Sequence, residues 1–323
     1  MTLASLAALT LTLAGQEEST LEKLEKDIAA VVERIRPSVV RVHADELTFS
    51  GVVYTPEGHI ITDASGLDQA VEIRVTVGEK SYPAERVAAD RRTGVAVLKI
   101  PARDLKAAPI CPDPCKPGTT ALVVGNPLGL PTSFSAGTIG GVGRSIRVRG
   151  QKYENMLQMS GAALHPGDCG ALVADASGHL VGLVHSAAVP EAGDEKAPPL
   201  LAFAVPASWV KFSADRIIRH GRMVRGWLGA SLLPLTDAAR SQLGLDPGVG
   251  AEVSRVERDS PAAKAGLATR DILLSLGDET VKDLDALQWK VARVDAPTPM
   301  KLTFLHNREL HQAETQIEID PQK

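Results

Sequence analysis

The stretch DRRTGVAVLKI, residues 90–100, joins a polar turn to an apolar run. Residues 90–94 have the small and charged composition of a turn, whereas residues 95–100 have the aliphatic, β-branched composition of a strand. Similar runs, separated by Gly, Pro or charged turns, lie on both sides of it. Many short strands at this spacing predict a β-barrel or β-sandwich. The similar runs are Val39–Val42, Gly51–Tyr54, His59–Ile61, Val71–Val77, Ala121–Gly125, Ala171–Val173 and Leu180–Val184.

The composition is that of an ordinary globular chain. With 323 residues it is long enough for about two domains. Hydrophobic residues make up 44% and aromatic residues only 3%, so the cores must be built from aliphatic side chains. The formal net charge of −4 argues against a general nucleic-acid-binding protein, which normally carries a basic surplus.

Residues 1–15 are apolar and end in small residues, which predicts a signal peptide and export to the periplasm or beyond. The run is too short for a membrane-spanning helix, which needs about 20 residues. The run lacks the basic residues that begin a typical signal peptide. Retention of this segment as an N-terminal membrane tether is therefore an alternative to cleavage. Residues 16–37 predict an amphipathic helix that begins with a capping box of Ser19 and Glu22. The apolar face of this helix has two interpretations: it packs on the domain of the same chain, or it contacts another chain in an oligomer.

Three cysteines are present, and two of them share the short motif CPDPC. Cys111 and Cys115 are close enough to form a disulfide in an oxidising compartment, and two free thiols are an equal alternative. No Cys or His pair has the spacing of a zinc site, so we expect neither a metal nor another cofactor.

Several short motifs fall in a fixed order along residues 30–319. They are VERIRPSVV at 32–40, GVV at 51–53, EGHIIT at 57–62, DRRTGVAVLKI at 90–100, GNPLG at 125–129, PGDCG at 166–170, FAVP at 203–206 and RGWLG at 225–229. In this order they resemble the HtrA/Deg family of trypsin-like proteases. The resemblance implies a mainly β chain, with two six-stranded β-barrels around an active-site cleft, followed by an α+β PDZ domain.

The domain organisation follows from the same motifs and from a change of pattern near residue 221. A helical pattern ends at Gly221, and a different sequence pattern begins at Arg225. We therefore expect a signal peptide at 1–15, an N-terminal helix at 16–37, a protease-like domain at 38–221 and a PDZ domain at 226–319.

The positions that match the family's catalytic triad do not carry its residues. Serine proteolysis needs a nucleophilic hydroxyl, a histidine base and an acid that orients the histidine. Ser65 stands where the resemblance places the histidine, and a hydroxyl cannot replace imidazole near neutral pH. Gly94 stands at the position of the acid and has no side chain.

The position of the nucleophile depends on the alignment register. Matching Pro166 and Gly167 to the family's motif places Cys169 at the serine, whereas matching 158–172 without gaps places Asp168 there. Neither register supplies a serine. A shortened glycine run and the charge of Asp168 also weaken an oxyanion hole, which depends on backbone amides in a defined turn.

The PDZ resemblance implies a groove for the C-terminus of a peptide. Trp227, Leu228, Gly229 and Ala230 match the loop whose amides capture a terminal carboxylate, and Leu287 and Val291 lie on the helix that walls the groove. These two side chains are equally well explained as core. Arg225, just before the loop, either adds charge to the groove or is an exposed linker residue.

The sequence therefore predicts an exported, proteolytically inactive homologue that binds exposed C-termini or unfolded proteins in quality control or regulation. The resemblance implies a homotrimer or a mixed oligomer with an active relative. One alternative is an active endopeptidase that uses Cys169, which would need a low-pKa thiolate and a nearby base, or an unrecognised nucleophile. Another is a remnant whose groove binds nothing.

Overall fold

A computed structural model describes residues 19–67, 69–148, 150–188 and 201–321, so the expected signal peptide lies outside the described residues. The chain divides into two compact units. One comprises residues 1–85 and 98–208, and the other comprises residues 86–97 and 209–323. Because residues 86–97 belong to the second unit, each unit combines segments that are distant in the sequence. The domain boundaries expected from the sequence remain predictions.

The first described element is helix α1, Thr20–Ile35, which begins with the predicted capping box. The Ser19 hydroxyl accepts from the Glu22 amide, and the Glu22 carboxylate accepts from the Ser19 amide. Val31 and Ile35 are buried, whereas Leu21 and Leu24 are exposed. Only the C-terminal half of the apolar face is therefore packed in this chain.

The first sheet contains seven strands in the order β5-β4-β1-β2-β3-β7-β6. The family resemblance implied six strands, and the sheet contains one more. The strands are β1 Val39–Ala44, β2 Leu47–Val53, β3 His59–Asp63, β4 Ile73–Val77, β5 Lys80–Pro83, β6 Glu85–Asp90 and β7 Val95–Lys99.

The second sheet is a closed barrel of six strands in the order β10-β13-β12-β11-β8-β9, as the fold class predicted. The strands are β8 Thr120–Gly125, β9 Ser133–Val148, β10 Gln151–Ser160, β11 Leu172–Ala174, β12 Leu180–Ala188 and β13 Leu201–Pro206. Aliphatic side chains fill this barrel, among them Ile139, Leu157 and Val184. Closure leaves it without exposed sheet edges.

The third sheet lies in the second unit, in the order β14-β20-β19-β17-β16-β15, with β18 paired to β17. Its strands are β14 Gly226–Trp227, β15 Ala230–Pro234, β16 Ala251–Val256, β17 Ile272–Leu276, β18 Glu279–Thr280, β19 Thr298–His306 and β20 Glu309–Ile319. The helices of this part are α2 Ala207–His220, α3 Asp237–Gln242, α4 Pro261–Lys264 and α5 Leu284–Arg293. The chain is therefore mainly β, as predicted.

None of the described helices has the length and apolarity to cross a bilayer. Within the same residues, no group of three or more His, Cys, Asp or Glu side chains is arranged to hold a metal ion. Cys111, Cys115 and Cys169 are free thiols, each partly buried.

Candidate functional site

The loop that carries both candidate nucleophiles lies between β10 and β11 and is fastened to Ser50 on β2. The Ser50 amide donates to the carbonyl of Cys169 at 3.0 Å, and its hydroxyl donates to the carbonyl of Gly167 at 2.8 Å. Gly170 has a φ of +82°, and a Cβ there would lie 2.1 Å from the Ser50 carbonyl oxygen. This position therefore requires glycine. The two bonds hold the backbone on either side of Asp168.

Asp168 points into this loop. It is buried, and its carboxylate accepts a hydrogen bond from the His165 amide at 2.7 Å. The His165 ring nitrogen Nδ1 lies 3.6 Å from the same carboxylate oxygen. Burial raises the pKa of Asp168, although the hydrogen bond and the ring of His165 act in the opposite direction. The Asp168 carboxylate therefore stabilises the turn of residues 165–168, to which it belongs.

Cys169, the next residue, is partly exposed, and its thiol donates to the backbone carbonyl of His185 at 3.2 Å. The ring of His185 makes no hydrogen bond to this thiol. Its Nδ1 atom pairs with the Asp63 carboxylate, and its Nε2 atom has no hydrogen-bond partner within the described part of the chain. A hydrogen-bonded thiol–imidazole pair, the usual way to activate a cysteine, is therefore not formed by Cys169 and His185.

Asp63 and His185 form a buried polar pair in the first unit, each with a side chain 1% exposed. Ser65 is tied to the same carboxylate, because its amide donates to Asp63 at 2.9 Å and its hydroxyl donates to the same oxygen. The ring of Tyr153 lies 4.1 Å from the His185 ring, measured between centroids. Ser65 and Cys169 are thus the two ends of one chain of contacts that runs through Asp63 and His185.

This pairing was not predicted from the sequence. The signal that could have found it is a carboxylate and an imidazole at the ends of two otherwise apolar runs. Buried ionisable groups are rarely left without a partner. Their separation of 122 residues conceals the pairing in the sequence.

Gly94, the residue at the position of the orienting acid, forms part of a backbone turn. It is buried, has a φ of +82°, and donates its amide to the carbonyl of Asp90 at 2.8 Å. It lies in the segment that belongs to the second unit. Without a side chain, it has no group that could orient an imidazole.

An apolar pocket of about 280 Å³ lies beside Asp168. Leu128, Leu130 and Phe134 line it together with His165, and these three apolar side chains are more than half exposed. The pocket is not predictable from the sequence, because the residues that line it form no motif apart from GNPLG at 125–129. An apolar pocket of this size fits one large aliphatic or aromatic side chain.

The predicted peptide groove lies in the second unit, beside strand β15. This strand pairs with β16 on one side and is the last strand of its sheet, so its other edge can accept an added peptide strand. Gly229, just before β15, has a φ of +78°, and a Cβ there would lie 2.2 Å from the Cβ of Ser260. Glycine therefore allows the tight turn at the head of the groove.

Helix α5 forms the opposite wall of this groove, whose volume is about 320 Å³. Leu287 and Val291 line the groove and also belong to the core of the sheet. The structure brings together all six residues of the predicted peptide site. These are Trp227, Leu228, Gly229, Ala230, Leu287 and Val291.

Arg225 forms a buried ion pair with Asp90. Its guanidinium nitrogen lies 2.6 Å from both carboxylate oxygens, and the two side chains are 5% and 1% exposed. Thr93 and Ser213 donate to the same carboxylate at 2.7 and 2.8 Å. Arg225 is therefore neither an exposed linker residue nor a free charge in the groove.

Comparison with known proteins identifies the same two domains that the sequence motifs and the fold indicate. The trypsin-like peptidase domain family matches residues 49–183, and the PDZ domain family matches residues 226–317. A probable periplasmic serine endoprotease DegP-like of Brucella suis is 30% identical over 276 residues, which cover 84% of this chain and 52% of the relative. A protein of the same description from Pseudomonas savastanoi is 32% identical, covering 72% and 47%. The chain spans about half the length of these curated relatives.

Solved structures match over nearly the whole chain. The HtrA-type protease AlgW with a tripeptide is 29% identical with a TM-score of 0.78, covering 91% of this chain and 97% of that one. The serine endoprotease from Yersinia pestis is 28% identical with a TM-score of 0.68, covering 90% and 96%. With both domain types present in the same order, the chain belongs to the HtrA/Deg family of trypsin-like proteins that carry a PDZ domain.

Proposed function

We propose that this chain is a proteolytically inactive HtrA homologue that binds exposed C-termini or unfolded polypeptides through its PDZ groove. The observation that carries the proposal is the state of the triad positions. Ser65 stands at the position of the base with its hydroxyl bound to Asp63, Gly94 has no side chain, and Cys169 donates to a backbone carbonyl.

Each replacement removes a different step of the reaction. Ser65 at the position of the base supplies no imidazole to accept the nucleophile's proton on attack or to return it to the leaving amine. Gly94 supplies no acid to orient a base at that position. Asp168 adds a carboxylate next to the place where negative charge would develop on the substrate oxygen. Together these losses remove many orders of magnitude in rate.

The groove supplies the function that remains. A peptide added antiparallel to β15 would complete the unpaired edge of the sheet with main-chain hydrogen bonds. Its terminal carboxylate would lie against the backbone amides of the loop that precedes β15. An apolar terminal side chain would pack between Leu228 and helix α5, against Leu287 and Val291, which line the groove.

Periplasmic export is part of the proposal. The relatives from Brucella and Pseudomonas are named periplasmic endoproteases, which supports export of this chain and a role in protein quality control. The apolar residues 1–15 agree with export, either with cleavage or with retention as a tether.

We also propose that the chain assembles into a homotrimer or joins an oligomer with an active relative. The support is helix α1, on which Leu21 and Leu24 are 77% and 53% exposed at one-turn spacing. A second chain that covered them would bury this apolar surface. We expect sedimentation to show a species larger than a monomer at micromolar concentration, and Leu21→Ser with Leu24→Ser to shift it toward monomer. A monomer alone in the unaltered protein would contradict this assembly.

Incubation with an unfolded protein tests the loss of catalysis. We expect no cleavage of reduced casein by the purified protein, with or without iodoacetamide, while an active relative run in parallel degrades it. Cys169→Ala is the matched variant, and it should behave in the same way. Cleavage that iodoacetamide and Cys169→Ala both abolish would make Cys169 the nucleophile and overturn the proposal.

The second candidate is that cysteine peptidase. Cys169 favours it by being partly exposed, next to the apolar pocket that Asp168 and His165 border. Such an enzyme would need a base to reach the thiol, and His185, whose Nδ1 pairs with Asp63, would have to bring its Nε2 atom to Cys169.

A further inference from the structure

The apolar pocket of about 280 Å³ beside Asp168 also has polar groups in its lining. Two of them are the hydroxyls of Ser133 and Ser135, which donate to the backbone carbonyls of Pro131 at 3.1 Å and Ala163 at 2.9 Å. Because each hydroxyl already donates its one proton, it presents only lone pairs to a ligand. The two serines therefore favour a ligand that brings hydrogen-bond donors.

The carboxylate of Asp168 is a third acceptor in this lining. Its Oδ2 atom accepts from the His165 amide at 2.7 Å and lies 3.6 Å from the ring Nδ1 atom of the same residue. Its Oδ1 atom accepts no hydrogen bond from the residues that the structure describes. The side chain is 7% exposed, and burial has the largest effect on its pKa, which it raises. The charge of Asp168 is therefore only partly compensated within the described part of the chain.

Shape and charge together define the ligand. The exposed side chains of Leu128, Leu130 and Phe134 would lose contact with water against an apolar stem. A cation at the end of that stem would donate to Asp168 and compensate a carboxylate that is already buried. Of the described residues that line the pocket, only His165 is also ionisable, so no permanent cation competes for this place.

We propose that this pocket binds a lysine side chain of a polypeptide and that the Asp168 carboxylate holds its ammonium group. Lysine combines a compact charge with a flexible four-carbon stem. Arginine fits less well, because its planar fork suits two free carboxylate oxygens and Oδ2 already accepts from His165. The residues of this pocket belong to the first unit, whereas those of the groove beside β15 belong to the second. The proposal therefore does not rest on peptide binding by the groove.

The test titrates the full chain with short alanine peptides that carry one test residue in the middle, and ligand-observed NMR measures the dissociation constants. The test residue is lysine, arginine or norleucine, which has the stem of lysine without the ammonium. All peptides are acetylated and amidated, so they lack the terminal carboxylate that the groove would capture. We expect the lysine peptide to bind about tenfold more tightly than the norleucine peptide, and more tightly than the arginine peptide.

Asp168→Asn removes the charge but keeps a side-chain oxygen that can accept from the His165 amide. It should weaken binding of the lysine peptide about tenfold and change binding of the norleucine peptide less than about twofold. Asp113→Asn is the matched control, because it removes the same charge from an exposed residue of the same unit that does not line the pocket. It should change neither affinity by more than about twofold. Circular dichroism checks that each variant is folded.

Phe134→Ala leaves Asp168 in place and removes part of the apolar wall. It should weaken binding of the lysine and norleucine peptides by the same factor, because both bury the same stem. If Asp168→Asn does not fold, this variant and the lysine–norleucine comparison decide the matter. Unchanged binding of both peptides to Phe134→Ala would show that they bind elsewhere and would overturn the proposal.

The remaining outcomes are equally decisive. Equal affinity for lysine and norleucine would make the pocket a purely apolar site, and a lysine preference that survives Asp168→Asn would place the cation away from Asp168. Butylammonium bound as tightly as the lysine peptide would show a site for free amines. Each of these results overturns the proposal but leaves the groove beside β15 untouched, since that groove is tested with peptides whose C-terminus is free.

Discussion

Arg225→Ala should lower the free energy of unfolding by about 3–5 kcal/mol at pH 7, the largest effect that we expect from any single substitution. The substitution leaves the Asp90 carboxylate, 1% exposed, without its counterion. Hydrogen bonds from Thr93 and Ser213 remain, but they do not supply a full opposite charge. Urea unfolding measures the loss. Replacing both partners, Asp90→Asn with Arg225→Met, should recover most of it, because no unpaired buried charge is left.

The same pair predicts a pH dependence. Burial raises the pKa of Asp90, but the charge of Arg225 and the hydrogen bonds from Arg225, Thr93 and Ser213 outweigh burial and hold the pKa below its ordinary value of 3.8. The stability from the ionised carboxylate is therefore present above pH 3.8 and is lost as the pH falls through the lowered pKa. The penalty of Arg225→Ala should shrink in acid, where Asp90 becomes neutral in the variant.

Arg222→Ala is the control for this experiment. Arg222 is an exposed residue three positions earlier, and its removal should cost less than about 0.5 kcal/mol. Equal, small losses for Arg222→Ala and Arg225→Ala at pH 7 would show that the buried pair does not stabilise the second unit.

Asp63→Ala should be the second most damaging substitution, with a loss of about 2–4 kcal/mol. It removes the acceptor of three contacts: those from the His185 ring, the Ser65 amide and the Ser65 hydroxyl. The His185 ring, already without a partner at Nε2 among the described residues, would then lack one at Nδ1 as well. Urea or thermal unfolding followed by circular dichroism measures the change.

Ser65→Ala separates the buried pair from the exposed end of the network. Ser65 is exposed, so losing its hydroxyl should cost less than about 1 kcal/mol. If Ser65→Ala proves as damaging as Asp63→Ala, the Ser65 hydroxyl and not the Asp63–His185 pair would be the main stabilising group of this network.

Much of the fold follows from short-range patterns. The capping box of α1 and the apolar runs of β1, β2, β3 and β7 were predictable, because local turn chemistry and aliphatic composition agree there. The long hairpin of β9 and β10 was not predicted. Glycines at 137, 140, 141 and 143 interrupt its first strand, and many of its residues face solvent, so it lacks an apolar pattern.

The candidate site was predictable as far as the family's motifs extend. The residues at the triad positions and Trp227–Ala230 could be named because each lies in a short contiguous motif. Leu287 and Val291 could be named from the resemblance to the helix that walls the groove in the family. The Asp63–His185 pair and the burial of Arg225 could not be predicted. The partners in these two pairs are 122 and 135 residues apart, and only the folded chain brings them together.

The discontinuity of the second unit has a consequence for the order of folding. Its two parts, residues 86–97 and 209–323, are separated by 111 residues (98–208). Joining the ends of an unfolded loop of that length costs about 4 kcal/mol of chain entropy. Once residues 98–208 have folded into the first unit, the entropy of this loop has already been lost. Joining the two parts of the second unit then adds no further loss. Synthesis from the N-terminus delivers the segments in the same order, so we expect the groove between β15 and α5 to form late in a nascent chain.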